Sequence, residues 1–249
     1  MHTPGPHVPA SSRRTHAEFD ALSSGISDRL NWLRAGVLGA NDGIVSTAGL
    51  VLGVAGATSS HAALLTAGIA GLVSGALSMA AGEYVSVSTQ RDTEQAAVAL
   101  ERTELDELPA QELEELTRLL EQKGMSHDVA HQAAREMTRH NALAAHSEIE
   151  LGIKPGAYTN PLQAALASAL AFAIGALVPL LSVLLVPLAH AVPITALAVT
   201  VALSVTGMVS ARLGQAPVVA ATIRNVVGGI LAMGVTYAIG RLVGGQLPG

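Results

Sequence analysis

Two long apolar stretches, residues 35–57 and 62–87, follow a polar opening and are separated only by Thr58-Ser59-Ser60-His61. Each exceeds the roughly 20 residues that carry a helix through about 30 Å of hydrocarbon at about 1.5 Å per residue, so the pair predicts a transmembrane hairpin. Between Gln90 and Leu151 the pattern inverts: 14 acidic residues stand against six basic ones, with leucines and alanines at helical spacing. That stretch reads as soluble and helical. Pro109 and Gly124 predict breaks and Ser126 an N-cap, which gives three helices near 91–107, 110–123 and 127–151. Beyond Lys154-Pro155-Gly156 come three further apolar stretches, 162–186, 194–211 and 218–243. The expected fold class is an all-α membrane protein with five transmembrane helices and a three-helix acidic insert between the second and third. Its expected parts are a disordered tail (1–28), rich in Pro, Ser, His and Thr and lacking a secretory-signal pattern, spans one and two (29–89), the insert (90–154) and spans three to five (155–249).

Composition supports the membrane assignment and narrows the chemistry. Half of the residues are hydrophobic and only 13% are charged, against about 25% in soluble domains. With no cysteine, any metal must be held by carboxylate, imidazole, thioether or backbone oxygen. A net charge of −5 gives no basis for nucleic-acid binding, which needs clustered positive charge. Arg29, Arg34, Arg91, Lys154 and Arg212 fall on one side if the spans alternate, whereas loops 58–61 and 187–193 have no Lys or Arg and Arg241 alone lies opposite. The positive-inside tendency then puts the N-terminus and insert in the cytoplasm and the C-terminus outside. Arginine outnumbers lysine 12 to 2 and alanine is abundant, a bias that favours a bacterial plasma membrane over a vacuole.

Ionisable groups are costly inside a bilayer, so each one is a functional candidate. Asp42 lies eight residues beyond Arg34, roughly 12 Å into the membrane, and Glu83 falls about 10 Å from the same surface on the second span. Gly71, Gly75, Met79 and Glu83 recur every fourth residue and share one helix stripe. A polar pathway bearing Asp42, Met79 and Glu83 is one reading. The plainer alternatives are that Asp42 pairs with Arg224 or caps a bend at Gly43, that Glu83 is interfacial, and that Met79 fills a core gap.

In the insert, Glu101 and Glu104 are three apart, as are Glu112 and Glu115, so each pair projects from one helix face. His146 and Glu150 are four apart, as are His127 and His131 and also Glu136 and His140. Carboxylates with an occasional imidazole suit Fe(II), Mn(II) or similar divalent ions, although acidic helix faces are commonly just solvated. The Glu-x-x-His pairs of di-iron bundles are missing from the sequence, which argues against a ferroxidase.

The segments Asn41-Asp42-Gly43-Ile44-Val45-Ser46-Thr47 and Gly75-Ala76-Leu77-Ser78-Met79-Ala80-Ala81-Gly82-Glu83-Tyr84-Val85-Ser86, followed by the Glu-rich insert closing on Glu150-Leu151-Gly152-Ile153-Lys154-Pro155, resemble the vacuolar iron transporter family across about residues 30 to 246. The resemblance implies a non-enzymatic homodimer of five-span subunits that moves Fe(II) and related divalent ions out of the cytosol in exchange for protons. The metal is then substrate, with no prosthetic group. It further implies that Asp42 and Met79 line a path at the dimer interface and that Glu101, Glu104, Glu112, Glu115 and Glu150 are ligands in a cytoplasmic metal-binding domain. The chain departs from the family twice. Gly71 stands where some members carry a glutamate, leaving Glu83 as a substitute for proton coupling. His146-Ser147 replaces a methionine pair, which makes His146 a ligand candidate and leaves Mn(II) or Zn(II) open. A membrane-anchored buffer or sensor without transport is the alternative.

Overall fold

The computed structural model describes residues 16–246, with side chains from Ala35 onward. Among these the regular elements are all helices: α1 (His16–Ala57), α2 (His61–Glu107), α3 (Pro109–Gln122), α4 (His127–His146), a π-helical turn (Ser147–Leu151), α5 (Pro161–Leu185), α6 (Leu188–Leu213) and α7 (Val218–Gly244). Five stretches are long and apolar enough to cross a membrane, namely Ala35–Ala57 within α1, part of α2, and α5, α6 and α7. The backbone divides into two compact units, one of residues up to Ala80 together with those from Leu166, the other Ala81–Ala165.

Two boundaries differ from expectation. The helix α1 begins at His16, so residues 16–28, expected in a disordered tail, are helical; residues 1–15 of that tail lie outside the described residues. Phe19, Leu22, Ile26, Leu30 and Leu33 recur every three or four positions, a helical period that the polar composition concealed. The second span and the first insert helix are not separate elements. They form one helix of 47 residues, because no Gly or Pro falls between Gly82 and Pro109 to break it.

In the membrane-type unit, small residues let backbones meet. A Cβ on Gly43 would run into the carbonyl of Phe172, and one on Gly175 into the carbonyl of Ala40, so α1 and α5 cross at near backbone contact. Gly240 meets the carbonyl of Gly53 in the same way where α7 crosses α1. Around these crossings Ile44, Ala48 and Leu52 of α1 pack on Val199 and Leu203 of α6 and on Met233 of α7. Many other large apolar side chains face outward: Leu166, Leu170 and Ile174 on α5, and Leu197, Val201, Val205 and Val209 on α6, are all exposed. Small residues at the helix crossings with branched ones exposed around them is the arrangement of helices solvated by lipid, where association rests on close packing. The interspan turn is closed by His61, whose Nε2 lies 2.7 Å from the carbonyl of Val183 near the end of α5, satisfying one of the carbonyls left over at a helix terminus.

Candidate functional site

The insert builds its site from four elements. Pro109 opens α3 at a first-turn position where a missing N–H costs nothing. Gly124, at φ +98°, ends the segment, and Ser126 takes the extended N-cap backbone of α4. The two helices are joined by Leu116 and Leu120 against Ala130, Ala134 and Ala145, with Ile149 packed alongside. Near its end α4 is interrupted at Asn141, whose backbone is extended (φ −162°, ψ 95°) and whose Oδ1 accepts the Ala144 N–H at 3.1 Å. The chain then passes through the π-helical turn and stops at Gly152, in the left-handed region at φ +68°. Such π turns recur at functional sites because they re-aim side chains within a helix.

These irregularities bring His146 and Glu150 together with Glu101 of α2 and Glu112 of α3: one donor atom from each of the four lies within 4.8 Å of the others. His146 Nδ1 is 3.2 Å from Glu101 Oε1 and 3.5 Å from Glu112 Oε2. Glu101, Glu112 and His146 are buried and Glu150 opens to solvent. Both ring nitrogens of His146, with Glu101 Oε1 and Glu112 Oε2, are buried without a hydrogen-bond partner. Buried polar atoms are normally paired, and three carboxylates around one imidazole repel one another. A divalent cation at their centre would satisfy the carboxylate oxygens and Nδ1, the ring nitrogen of His146 that faces them. Three oxygen donors and one nitrogen suit Fe(II), Mn(II) or Zn(II).

The electrostatics agree. Burial, then the charges of Glu150, Glu112, Glu104 and Glu115, push Glu101 up to about 7. Burial is also the leading cause of the raised proton affinities of Glu112 and Glu150. A hydrogen bond between Glu101 and Glu150 partly offsets the rise at Glu150. Burial lowers the His146 pKa, against the opposing pull of Glu115, so the ring is neutral and offers a lone pair. Glu104 and Glu115, expected as ligands, are not in the group of four converging donors. They are half-buried neighbours that add negative potential to it.

The sign of the pH dependence follows. A carboxylate whose folded pKa is raised binds its proton as pH falls through about 7, and a metal must displace that proton. Metal affinity of the whole protein is therefore expected to weaken by about tenfold per pH unit below that point for each proton displaced. Calorimetric titration at several pH values measures it, and a flat profile between pH values of about 6 and 8 contradicts the assignment of Glu101 as ligand.

In the membrane-type unit, Asp42 and Met79 line one cavity of about 520 Å³ with Leu38, Asn41, Val45, Arg224, Asn225, Gly228 and Gly229. Among the described residues no ion pair within 4.0 Å joins Asp42 to Arg224, although both face this space. Nor does α1 break at Gly43, which serves the α5 crossing instead. Glu83 is half-buried and is not among the residues lining the cavity. Sequence spacing gave no weight to Asn41, whose Oδ1 is buried and unpartnered; its signal was only its place beside Asp42.

Residues 33–241 match the family model described as the VIT family. The chain belongs to the VIT family. Among its relatives, the "Vacuolar iron transporter" of Acanthamoeba castellanii is 40% identical over 212 residues, covering 85% of this chain and 78% of that protein. The "Vacuolar iron transporter homolog 2.1" of Arabidopsis thaliana is 39% identical over 218 residues, covering 87% and 83%. The "VIT-like transporter 1b" of Glycine max is 37% identical over 231 residues, covering 92% and 81%. The VIT family match spans both the Asp42 cavity and the four-donor cluster of the insert.

Proposed function

We propose that this VIT family chain is a transporter, not an enzyme, that exports divalent transition metal from the cytosol, with Fe(II) as the first candidate and Mn(II) and Zn(II) open. The observation that carries the reading is the group of four converging donors Glu101, Glu112, His146 and Glu150 with buried, unpartnered atoms. Names of the relatives that specify iron transport support it. In this reading the insert is a cytoplasmic metal-binding domain, and Glu104 and Glu115 draw the ion in. Asp42 and Met79 then pass it through the membrane, in a path completed by a second copy of the chain. The setting is a bacterial plasma membrane with the N-terminus and insert inside and the C-terminus outside.

Proton exchange is proposed on electrostatic grounds. A carboxylate in a low-dielectric path holds a proton when empty and releases it when a dication arrives, so an inward proton gradient drives metal outward. Glu83 is the proposed partner in coupling. Purified protein in liposomes, loaded with Fe(II), Mn(II) or Zn(II) under an imposed pH gradient, tests the whole reading: metal flux should rise with the gradient and be matched by proton counterflow. Binding without flux identifies a buffer, and flux indifferent to the gradient identifies a channel. Separately, His146→Ala should weaken metal binding by at least about tenfold, read by calorimetry; unchanged affinity removes His146 from the ligand set.

A further inference from the structure

The pair His127 and His131 is absorbed by neither the four-donor cluster nor the membrane cavity. The two lie one turn apart at the start of α4, with rings 6.1 Å between centroids and 23° from parallel. An ion bonded to both at about 2.1 Å would draw the centroids to about 5 Å, a shift of about 1 Å that the exposed His127 makes by rotation toward the half-buried His131.

Glu121 supplies the decisive geometry. From the last turn of α3 its Oε1 sits 2.7 Å from His127 Nδ1, so Nδ1–H donates to the carboxylate; the same bond raises the proton affinity of the ring, and when that proton leaves, the lone pair is on Nε2. A carboxylate behind a histidine, fixing tautomer and ring orientation, is how metal-ligating imidazoles are held. Glu114 and Asp128 add negative charge around the same ring. A surface ion pair, worth about 0–1 kcal/mol, involves Glu121 and His127 only; helical spacing sets the second imidazole beside the first on the same face of α4.

We propose that His127 and His131, with Glu121 oriented behind His127, form a second metal site on the insert, open to water and suited to a borderline divalent ion such as Zn(II). Imidazole nitrogen favours Zn, Ni and Cu over harder ions, so the site differs in chemistry from the carboxylate-rich cluster. Two protein ligands leave the remaining positions to water, which makes the site exchangeable. It sits on different residues from the cluster and stands or falls independently of it.

Zinc alone is the probe, on the full-length protein in detergent at about pH 8, above the ordinary histidine range. Calorimetry of the unaltered protein, H127Q, H131Q, E121Q and H146Q should show one zinc equivalent lost in both H127Q and H131Q. That equivalent should be retained in H146Q and weakened by about tenfold or more in E121Q. An undiminished zinc stoichiometry in H127Q or H131Q overturns the proposal. Carbethoxylation of the unaltered protein, followed by peptide mass spectrometry, needs no variant: zinc should slow modification of His127 and His131 together relative to His140. Equal rates at the three histidines with and without zinc also overturn it.

Discussion

Asp42→Ala should reduce metal flux in liposomes by about a hundredfold or more while leaving metal binding by the insert unchanged. A dication crossing a low-dielectric path beside an ionised carboxylate is a buried ion pair, and removing one partner of such a pair costs about 3–5 kcal/mol. At about 1.4 kcal/mol per decade, that alone slows passage by about two to four orders of magnitude. Asp42→Asn keeps the volume and the polarity and removes only the charge, so it should behave like the alanine variant. If Asp42→Asn carries metal at an undiminished rate, the cavity that Asp42 shares with Met79 is not the path. The nearby guanidinium of Arg224 lines the same cavity without an ion pair to Asp42; in this reading it gives an arriving cation a reason to leave.

Gly240→Leu should abolish the folded membrane unit. A side chain at this position would occupy the space of the Gly53 carbonyl on α1, backbone against backbone, where no rotamer change relieves the overlap. Overpacking typically costs about 1–3 kcal/mol, and more is expected where main chain must separate and the surrounding core of Ile44, Ala48, Leu52 and Met233 opens with it. The measurement is the yield of monodisperse protein in size-exclusion chromatography together with its thermal unfolding. Gly228→Leu is the matched control, since a Cβ on Gly228 meets nothing within 4 Å. Equal yield and equal unfolding temperature for the two variants would show that the α1–α7 crossing is looser than the close contact of Gly53 and Gly240 requires.

Much of this architecture is legible in the amino-acid sequence, for reasons particular to each element. The five spans announce themselves because water cannot satisfy a backbone inside hydrocarbon, so crossing segments must be long, helical and apolar. The breaks at Pro109 and Gly124 carry their own local causes, a missing amide proton and a left-handed backbone. The pairing of Glu101, Glu112 and Glu150 as candidate ligands comes from helical spacing and from the family resemblance. Less visible are the helix from His16, hidden by polar composition, and the merging of the second span with the first insert helix into one element. The second depends on the absence of a breaker, a weaker signal than the presence of one.

The sequence by itself determined that the chain is helical and membrane-embedded, that it carries few charges within its spans and that its metal chemistry cannot use thiolate. These follow from composition and period, which act locally on each segment. Tertiary structure alone decided that Glu101, Glu112, His146 and Glu150 converge while Glu104 and Glu115 stand back. It also decided that Asp42 shares its cavity with Met79. The physical reason is that convergence depends on the extended backbone at Asn141, the π-helical turn after His146 and the glycine crossings of α1. Each is set by packing between elements distant in sequence, and a difference of one residue in helical phase turns a side chain by about 100°.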